Sequence, residues 1–173
     1  MLASRALGSG FTLSELAFLW ARHLTSHRGE HFLLLFYPTV GQLAELVTAA
    51  FVARDFTPRR ADFFDANVSS LADAIRHHVD EAGLEELGRV ADEVGTSEAG
   101  SRMMRWARGV ELVSARVALL AVGEVSVAGE LTRRFPVGGQ TTPDEQRRDL
   151  LIFSLSEEYF ELRRRLGVAV EKF

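Results

Sequence analysis

Residues 16 to 27 decide the fold, and they read Leu16-Ala17-Phe18-Leu19-Trp20-Ala21-Arg22-His23-Leu24-Thr25-Ser26-His27. The stretch begins apolar on nearly every side and turns polar from Arg22 onward. A helix without a clear polar face is usually a central one, because each of its sides needs a packing partner. We therefore expect this helix to lie at the centre of the protein.

A second stretch has the composition of a partner helix: Trp106-Ala107-Arg108-Gly109-Val110-Glu111-Leu112-Val113-Ser114-Ala115-Arg116-Val117-Ala118-Leu119-Leu120. Small and apolar residues line one face of it, and Glu111 interrupts that face. We expect the segments Leu16 to Leu24 and Val110 to Leu120 to pack against each other.

Local signals place the ends of several helices. Thr12 and Glu15 have the spacing of a capping box, which begins the first helix near Leu13 and lets it run to about His27. Thr142-Pro143-Asp144-Glu145 combines a cap, a proline at the first helical position and acids in the first turn. No segment alternates apolar and polar residues long enough to predict a strand. The predicted fold is all-α, a compact multi-helix bundle around two central helices at about residues 13–27 and 98–122.

Weaker signals fill the rest of the chain. Apolar spacing predicts a helix from Val40 to about Arg54, a helix capped by Asn67 that ends at Gly83, and another that ends at Gly95. The segment from Phe56 to Asn67 is predicted to be an ordered loop whose Phe63 and Phe64 help close the core. Gly138-Gly139-Gln140-Thr141 is predicted to be a structural turn, since it lacks the lysine and the spacing of a phosphate loop.

Size and composition limit the function classes. A chain of 173 residues with 47% hydrophobic content suits one domain over residues 1–173, which is also compatible with a domain excised from a longer protein. The net charge of -4 is spread along the chain, which argues against nucleic acid as a partner. The absence of cysteine excludes thiolate metal sites. No apolar run is long enough for a membrane span and no signal peptide is evident, so the sequence favours a cytoplasmic protein.

The run from Glu15 to Ser26 resembles the active helix of the CAAX-prenyl-protease-like zinc metallopeptidases, which include the soluble minigluzincins. These proteins carry glutamate-leucine-alanine-phenylalanine shortly before their motif, as Glu15-Leu16-Ala17-Phe18 stands here. Their motif places two histidines at i and i+4 to bind zinc, and a glutamate after the first to activate water. The segment Glu111-Leu112-Val113-Ser114-Ala115-Arg116 resembles the family's later motif, which supplies the third zinc ligand.

The resemblance implies that the catalytic groups have been replaced. Arg22 stands at the first histidine, His23 at the catalytic glutamate and Ser26 at the second histidine. Glu111 and Arg116 are retained, whereas Ala115 replaces the supporting aspartate. We expect no metal cofactor and no catalytic residue at these positions, because a protonated arginine repels a divalent cation. With the metal gone, we predict an ion pair between Arg22 and Glu111, with His23 as the second choice of partner.

Other patterns leave alternatives open. An alignment shifted by one residue makes His23 and His27 the pair with zinc-motif spacing, and His31 extends that series by four. This alignment supplies no general base, so it permits metal binding more readily than hydrolysis. Ser26, Ser114 or Thr25 as a nucleophile beside His23 lacks both a glycine elbow and an orienting acid.

The favoured hypothesis is a non-catalytic, metallopeptidase-like helical domain that acts as a scaffold or protein-interaction module. Because soluble relatives of such peptidases accompany tetratricopeptide repeats, the resemblance implies a longer bacterial parent protein and a protein partner. The alternatives are a metal-dependent hydrolase with atypical ligands and a small-molecule-binding sensor domain. Zinc content separates the first two hypotheses, and a co-purified ligand would favour the third.

Overall fold

A computed structural model describes residues 10–54, 66–94, 96–136 and 139–168, and all regular secondary structure within these ranges is helical. The predicted all-α class is confirmed. The described helices are α1 (Leu13–Thr25), α2 (Leu33–Phe36), α3 (Val40–Ala53), α4 (Ala66–His78), α5 (Glu81–Val94), α6 (Thr96–Val122), α7 (Val125–Arg134), α8 (Pro143–Ser154) and α9 (Glu157–Arg165). The predicted loop with Phe63 and Phe64 lies outside the described residues.

Capping boxes begin three of these helices. The Thr12 hydroxyl accepts from the Glu15 amide while the Glu15 carboxylate accepts from the Thr12 amide, so the predicted start of α1 is confirmed. Thr142 and Glu145 make the same reciprocal pair at α8, with proline in the first turn. Thr39 and Gln42 form a further capping box at α3, which was not predicted from the sequence. These reciprocal bonds satisfy backbone donors that have no partner inside the helix.

The chain divides into two compact units, which are described separately. The first comprises Met1–Phe36 and Ala107–Phe173, and the second comprises Tyr37–Trp106. Helix α6 contributes residues to both units. That the whole chain forms one domain stays a prediction.

The core of the first unit contains residues of both α1 and α6, while the packing of these two helices directly against each other stays a prediction. Phe18 is completely buried and belongs to one apolar cluster with Ala115, Ala118 and Leu119. Leu131 of α7 and Leu150 of α8 complete the centre of this cluster. The most extensive helix packing in this unit is between α7 and α8, and α1 also packs against α7.

One face of α1 departs from the expectation of burial on every side. Leu13, Trp20 and Leu24 are 86%, 45% and 59% exposed. Their spacing places them on the same side of the helix. Helix α1 therefore has two apolar faces, one buried in the core and one exposed to solvent.

The second unit has its own small core, formed by Ala49 and Ala53 of α3 with Val68 and Ala72 of α4. The break after α4 comes earlier than the predicted Gly83. The Asp80 carboxylate accepts the Gly83 amide at 2.8 Å and thereby begins α5. The helix boundary is therefore set here by a side-chain cap, although the apolar spacing continues past it.

Acidification should lower the free energy of unfolding, because protonation removes the negative charge of the capping glutamates Glu15 and Glu145. Donation from the Thr12 backbone amide lowers the pKa of Glu15 below its ordinary 4.5, and the Thr142 amide does the same for Glu145. Because the pKa values fall on folding, this stabilisation is complete above pH 4.5 and is lost as the pH drops through the lowered values. The urea midpoint of the parent should therefore fall more steeply on acidification than that of Glu15→Gln/Glu145→Gln, since glutamine keeps the cap without titrating. Equal pH dependence in the two proteins would contradict this account.

Candidate functional site

Helix α1 directs Arg22 into the core of the first unit, where the side chain is 5% exposed. Its Nη1 donates to the backbone carbonyl of Phe135 at 3.0 Å, and its Nη2 donates to Gln146 Oε1 at 2.9 Å. Its Nε is buried without a hydrogen-bond partner among the described residues. Arg22 thus ties α1 to the end of α7 and to α8.

Helix α6 presents Glu111 from another side of the same unit, with 6% of the residue exposed. One carboxylate oxygen accepts the backbone amides of Gly139 and Gln140 at 2.8 and 3.0 Å. The other accepts the Thr141 hydroxyl at 2.5 Å. The predicted turn is therefore held against α6 by a buried carboxylate.

Gln146 connects these two charged groups. Its amide nitrogen donates to the Thr141 hydroxyl at 2.6 Å, while its amide oxygen accepts from Arg22. A continuous series of hydrogen bonds runs Arg22, Gln146, Thr141 and Glu111, and all four residues are at most 9% exposed. We call these four residues the buried polar chain.

The direct ion pair predicted between Arg22 and Glu111 is not formed among the described residues. The two side chains do enter the same buried cluster, but Gln146 and Thr141 lie between them. Loop amides and a hydroxyl satisfy the carboxylate, so it needs no direct contact with the guanidinium. Nor does His23 serve as the partner, since it is exposed.

The charges of Arg22 and Glu111, at the two ends of the buried polar chain, still attract each other. Burial lowers the pKa of Arg22, because the protein interior disfavours the charged form, and attraction to Glu111 acts in the opposite direction. The guanidinium stays protonated at any pH a folded protein meets. Two opposite charges are therefore held in the core with neutral groups between them.

Arg116, another position of the resemblance, pairs with an acid that lies outside the motif. Its Nε and Nη2 donate to the two carboxylate oxygens of Asp149 on α8, at 2.8 and 2.6 Å. This carboxylate raises the pKa of Arg116. Ala115, at the position where the resembling enzymes carry an aspartate, is fully buried in the apolar cluster, where a carboxylate would be costly.

His23 and Ser26, the remaining positions of the resemblance, make no hydrogen bond to the buried polar chain among the described residues. His23 is exposed, and the Ser26 hydroxyl donates to the His23 carbonyl at 2.6 Å. Thr25 donates to the Ala21 carbonyl, and Ser114 donates to the Glu111 carbonyl. Each hydroxyl considered as a nucleophile therefore bonds to the backbone of its own segment.

Zinc does not fit the positions that the resemblance assigns to it. Arg22 offers only donors and a positive charge, which repel a cation. The Ser26 hydroxyl is directed to a carbonyl, and both oxygens of Glu111 already accept hydrogen bonds. The residues present form a structural cluster that is held by hydrogen bonds.

His31 separates from the histidine series. It is 8% exposed, and its Nδ1 lies 3.0 Å from the Thr25 carbonyl oxygen. His23 and His27 stay exposed with their rings in contact, at 4.7 Å between centroids. Within the described part of the chain, no group of three or more histidine, cysteine or acidic residues is placed to hold a metal ion.

Sequence reasoning missed the residues that complete the cluster. Thr141 was predicted to be part of a structural turn, and Gln146 was not singled out from the sequence. The available signal was Gln146 itself, a polar residue on the same side of α8 as Leu150 and Phe153. Such a position predicts a buried amide that must find partners.

No family model matches this chain, and no curated protein or solved structure matches it.

Proposed function

We propose that this chain is a non-catalytic, metallopeptidase-like helical domain that acts as a scaffold or protein-interaction module. The observation that supports this proposal is the buried polar chain. Arg22 and Glu111, at positions where the resembling enzymes hold zinc, bond to Gln146, Thr141 and the loop backbone. The groups that would perform chemistry are committed to holding α1, α6 and α8 together.

Catalysis by these positions has no chemical basis. Water activation needs a base that can exchange protons with solvent, or a metal that acidifies the water. Glu111 is buried and accepts hydrogen bonds at both oxygens, and Arg22 cannot act as a base. A role in binding other proteins requires only the surface, which the buried polar chain leaves free.

Exposed apolar residues on α8 support the proposal that the chain binds a protein partner. Leu151, Ile152 and Leu155 are 48%, 63% and 80% exposed and share the face opposite the buried Leu150 and Phe153. Clustered exposed apolar side chains are typical of surfaces that bind other proteins. Of the helices in the described ranges, none combines the length and hydropathy needed to cross a membrane. We extend the proposal to a cytoplasmic setting in a bacterial parent protein with tetratricopeptide repeats, as the resemblance implies.

Site-specific photo-crosslinking in cells tests the partner. A photoreactive amino acid at position 152 or 155 should yield discrete adducts of higher mass, because these side chains would be covered by the partner. The same amino acid at Glu130, an exposed polar position on α7, provides the matched control and should yield none. Equal adduct patterns at all three positions, or none at 152 and 155, would contradict the proposed surface.

A further inference from the structure

The last turns of α1 carry an exposed row of aromatic rings. The His23 and His27 rings lie 4.7 Å apart between centroids, with 78° between their planes. The Trp20 ring lies 6.3 Å from that of His23 on the other side. All three residues are exposed. This row is separate from the buried polar chain, since Arg22 points into the core.

A hydrogen bond selects the tautomer of His27. Its Nδ1 lies 3.1 Å from the His23 carbonyl oxygen, which can only accept, so Nδ1 carries the proton. The Nε2 lone pair is then free to bind a cation. Donation of one ring N–H to a backbone carbonyl is also one of the arrangements that orient metal-binding histidines.

The spacing of the two rings suits a shared metal ion. Histidine nitrogens bind transition metals at about 2.0 to 2.1 Å, which places two neighbouring ligand rings roughly 4.5 to 5.3 Å apart between centroids. The observed 4.7 Å lies within this range. Because both side chains are exposed, small rotations about their χ angles can direct the nitrogens at one ion without repacking the core.

Nearby charge does not oppose a cation strongly. Arg28, the exposed residue that follows His27, forms an ion pair with Glu30 at 2.5 Å, so its positive charge is offset. His31 does not join the pair, because it is buried against the Thr25 carbonyl. The protein therefore supplies two imidazole ligands, and water completes the coordination.

We propose that His23 and His27 form a surface site for a divalent transition-metal ion, with Cu²⁺ preferred over Ni²⁺ and Zn²⁺. Imidazole suits all three ions, and the order follows the general affinity series of these metals. The site has no general base beside it, so the proposal concerns binding and not hydrolysis. It does not depend on the proposed function, because it rests on side chains outside the buried polar chain.

Trp20 provides a local reporter, since bound Cu²⁺ quenches a nearby indole. The experiment uses a Trp106→Phe background, in which Trp20 is the remaining tryptophan of the two in the chain. Titration with copper sulfate should give saturable quenching with about one ion per chain, reversed by a chelator. His23→Gln or His27→Gln should weaken the affinity roughly tenfold or more, because the second imidazole no longer binds at high effective concentration.

His77→Gln/His78→Gln is the matched control, as it removes two exposed, contacting histidines from α4. It should leave the Trp20 titration unchanged. Electron paramagnetic resonance of the copper complex gives a second measurement and should show two nitrogen ligands in the parent and one in either single variant. Quenching that never saturates, or a His27→Gln variant with parental affinity and spectrum, would overturn the proposal.

Discussion

Replacement of Glu111 with leucine is expected to lower the free energy of unfolding by roughly 3 to 5 kcal/mol, the usual cost of removing one member of a buried charged network. The substitution leaves the Gly139 and Gln140 amides and the Thr141 hydroxyl without their acceptor. It also leaves Arg22 in the core without its nearby negative charge. The measurement is urea unfolding monitored by circular dichroism.

Glu130→Leu is the control for the loss of a glutamate. Glu130 is exposed and pairs with Arg133 on its own helix, so its loss should cost less than about 1 kcal/mol. A Glu111→Leu protein that unfolds at the parental urea concentration would show that the carboxylate does not hold the loop. That result would also remove the main support for the structural role of the buried polar chain.

The same experiment can measure how strongly Arg22 and Glu111 interact across the buried polar chain. Arg22→Met removes the donors to Gln146 and Phe135 and leaves Glu111 without a nearby cation. The double variant Arg22→Met/Glu111→Leu should be more stable than the sum of the single effects predicts, by about 1 to 3 kcal/mol. Strict additivity would mean that Gln146 and Thr141 insulate the two charges from each other.

Introducing the peptidase motif should create a zinc site if the resemblance reflects a shared arrangement of α1 and α6. The variant Arg22→His/His23→Glu/Ser26→His supplies both histidines, and Glu111 would have to leave the loop amides and the Thr141 hydroxyl to become the third ligand. Structural zinc contributes an apparent 10 to 16 kcal/mol, roughly, which exceeds the few kcal/mol from the hydrogen bonds that Glu111 would give up. Elemental analysis after dialysis should find about one zinc per chain, with a raised melting temperature.

Two variants control this experiment. Arg22→His/His23→Glu restores only one histidine and should retain little zinc after dialysis. Adding Glu111→Ala to the triple variant should release the metal by removing the third ligand. A folded triple variant that contains no zinc would show that the sequence likeness does not reflect a common geometry.

The elements best predicted from sequence are those with local causes. Thr12 with Glu15, and Thr142 with Pro143 and Glu145, begin helices through bonds within four residues, so their spacing in the chain is enough to identify them. That Phe18 and the small residues of α6 belong to one core was also predictable, because an apolar helix and an apolar face of another helix both need burial.

The partners in the candidate site were not predictable in the same way. Arg22 meets Gln146 across 124 positions of sequence, and helical periodicity describes only one element at a time. The direct pairing of Arg22 with Glu111 failed because the prediction considered two helices and left out the loop between α7 and α8. Three donors from that loop satisfy the carboxylate first.

The bonds from Glu111 to the Gly139 and Gln140 amides also affect how this part of the protein opens. Amide protons in a connecting segment normally exchange with solvent through small local motions. Here both protons are held by a side chain anchored in the core helix α6. Their deuterium uptake should therefore follow the slow opening of the helical core, so that a loop reports on the cooperative unfolding unit around it.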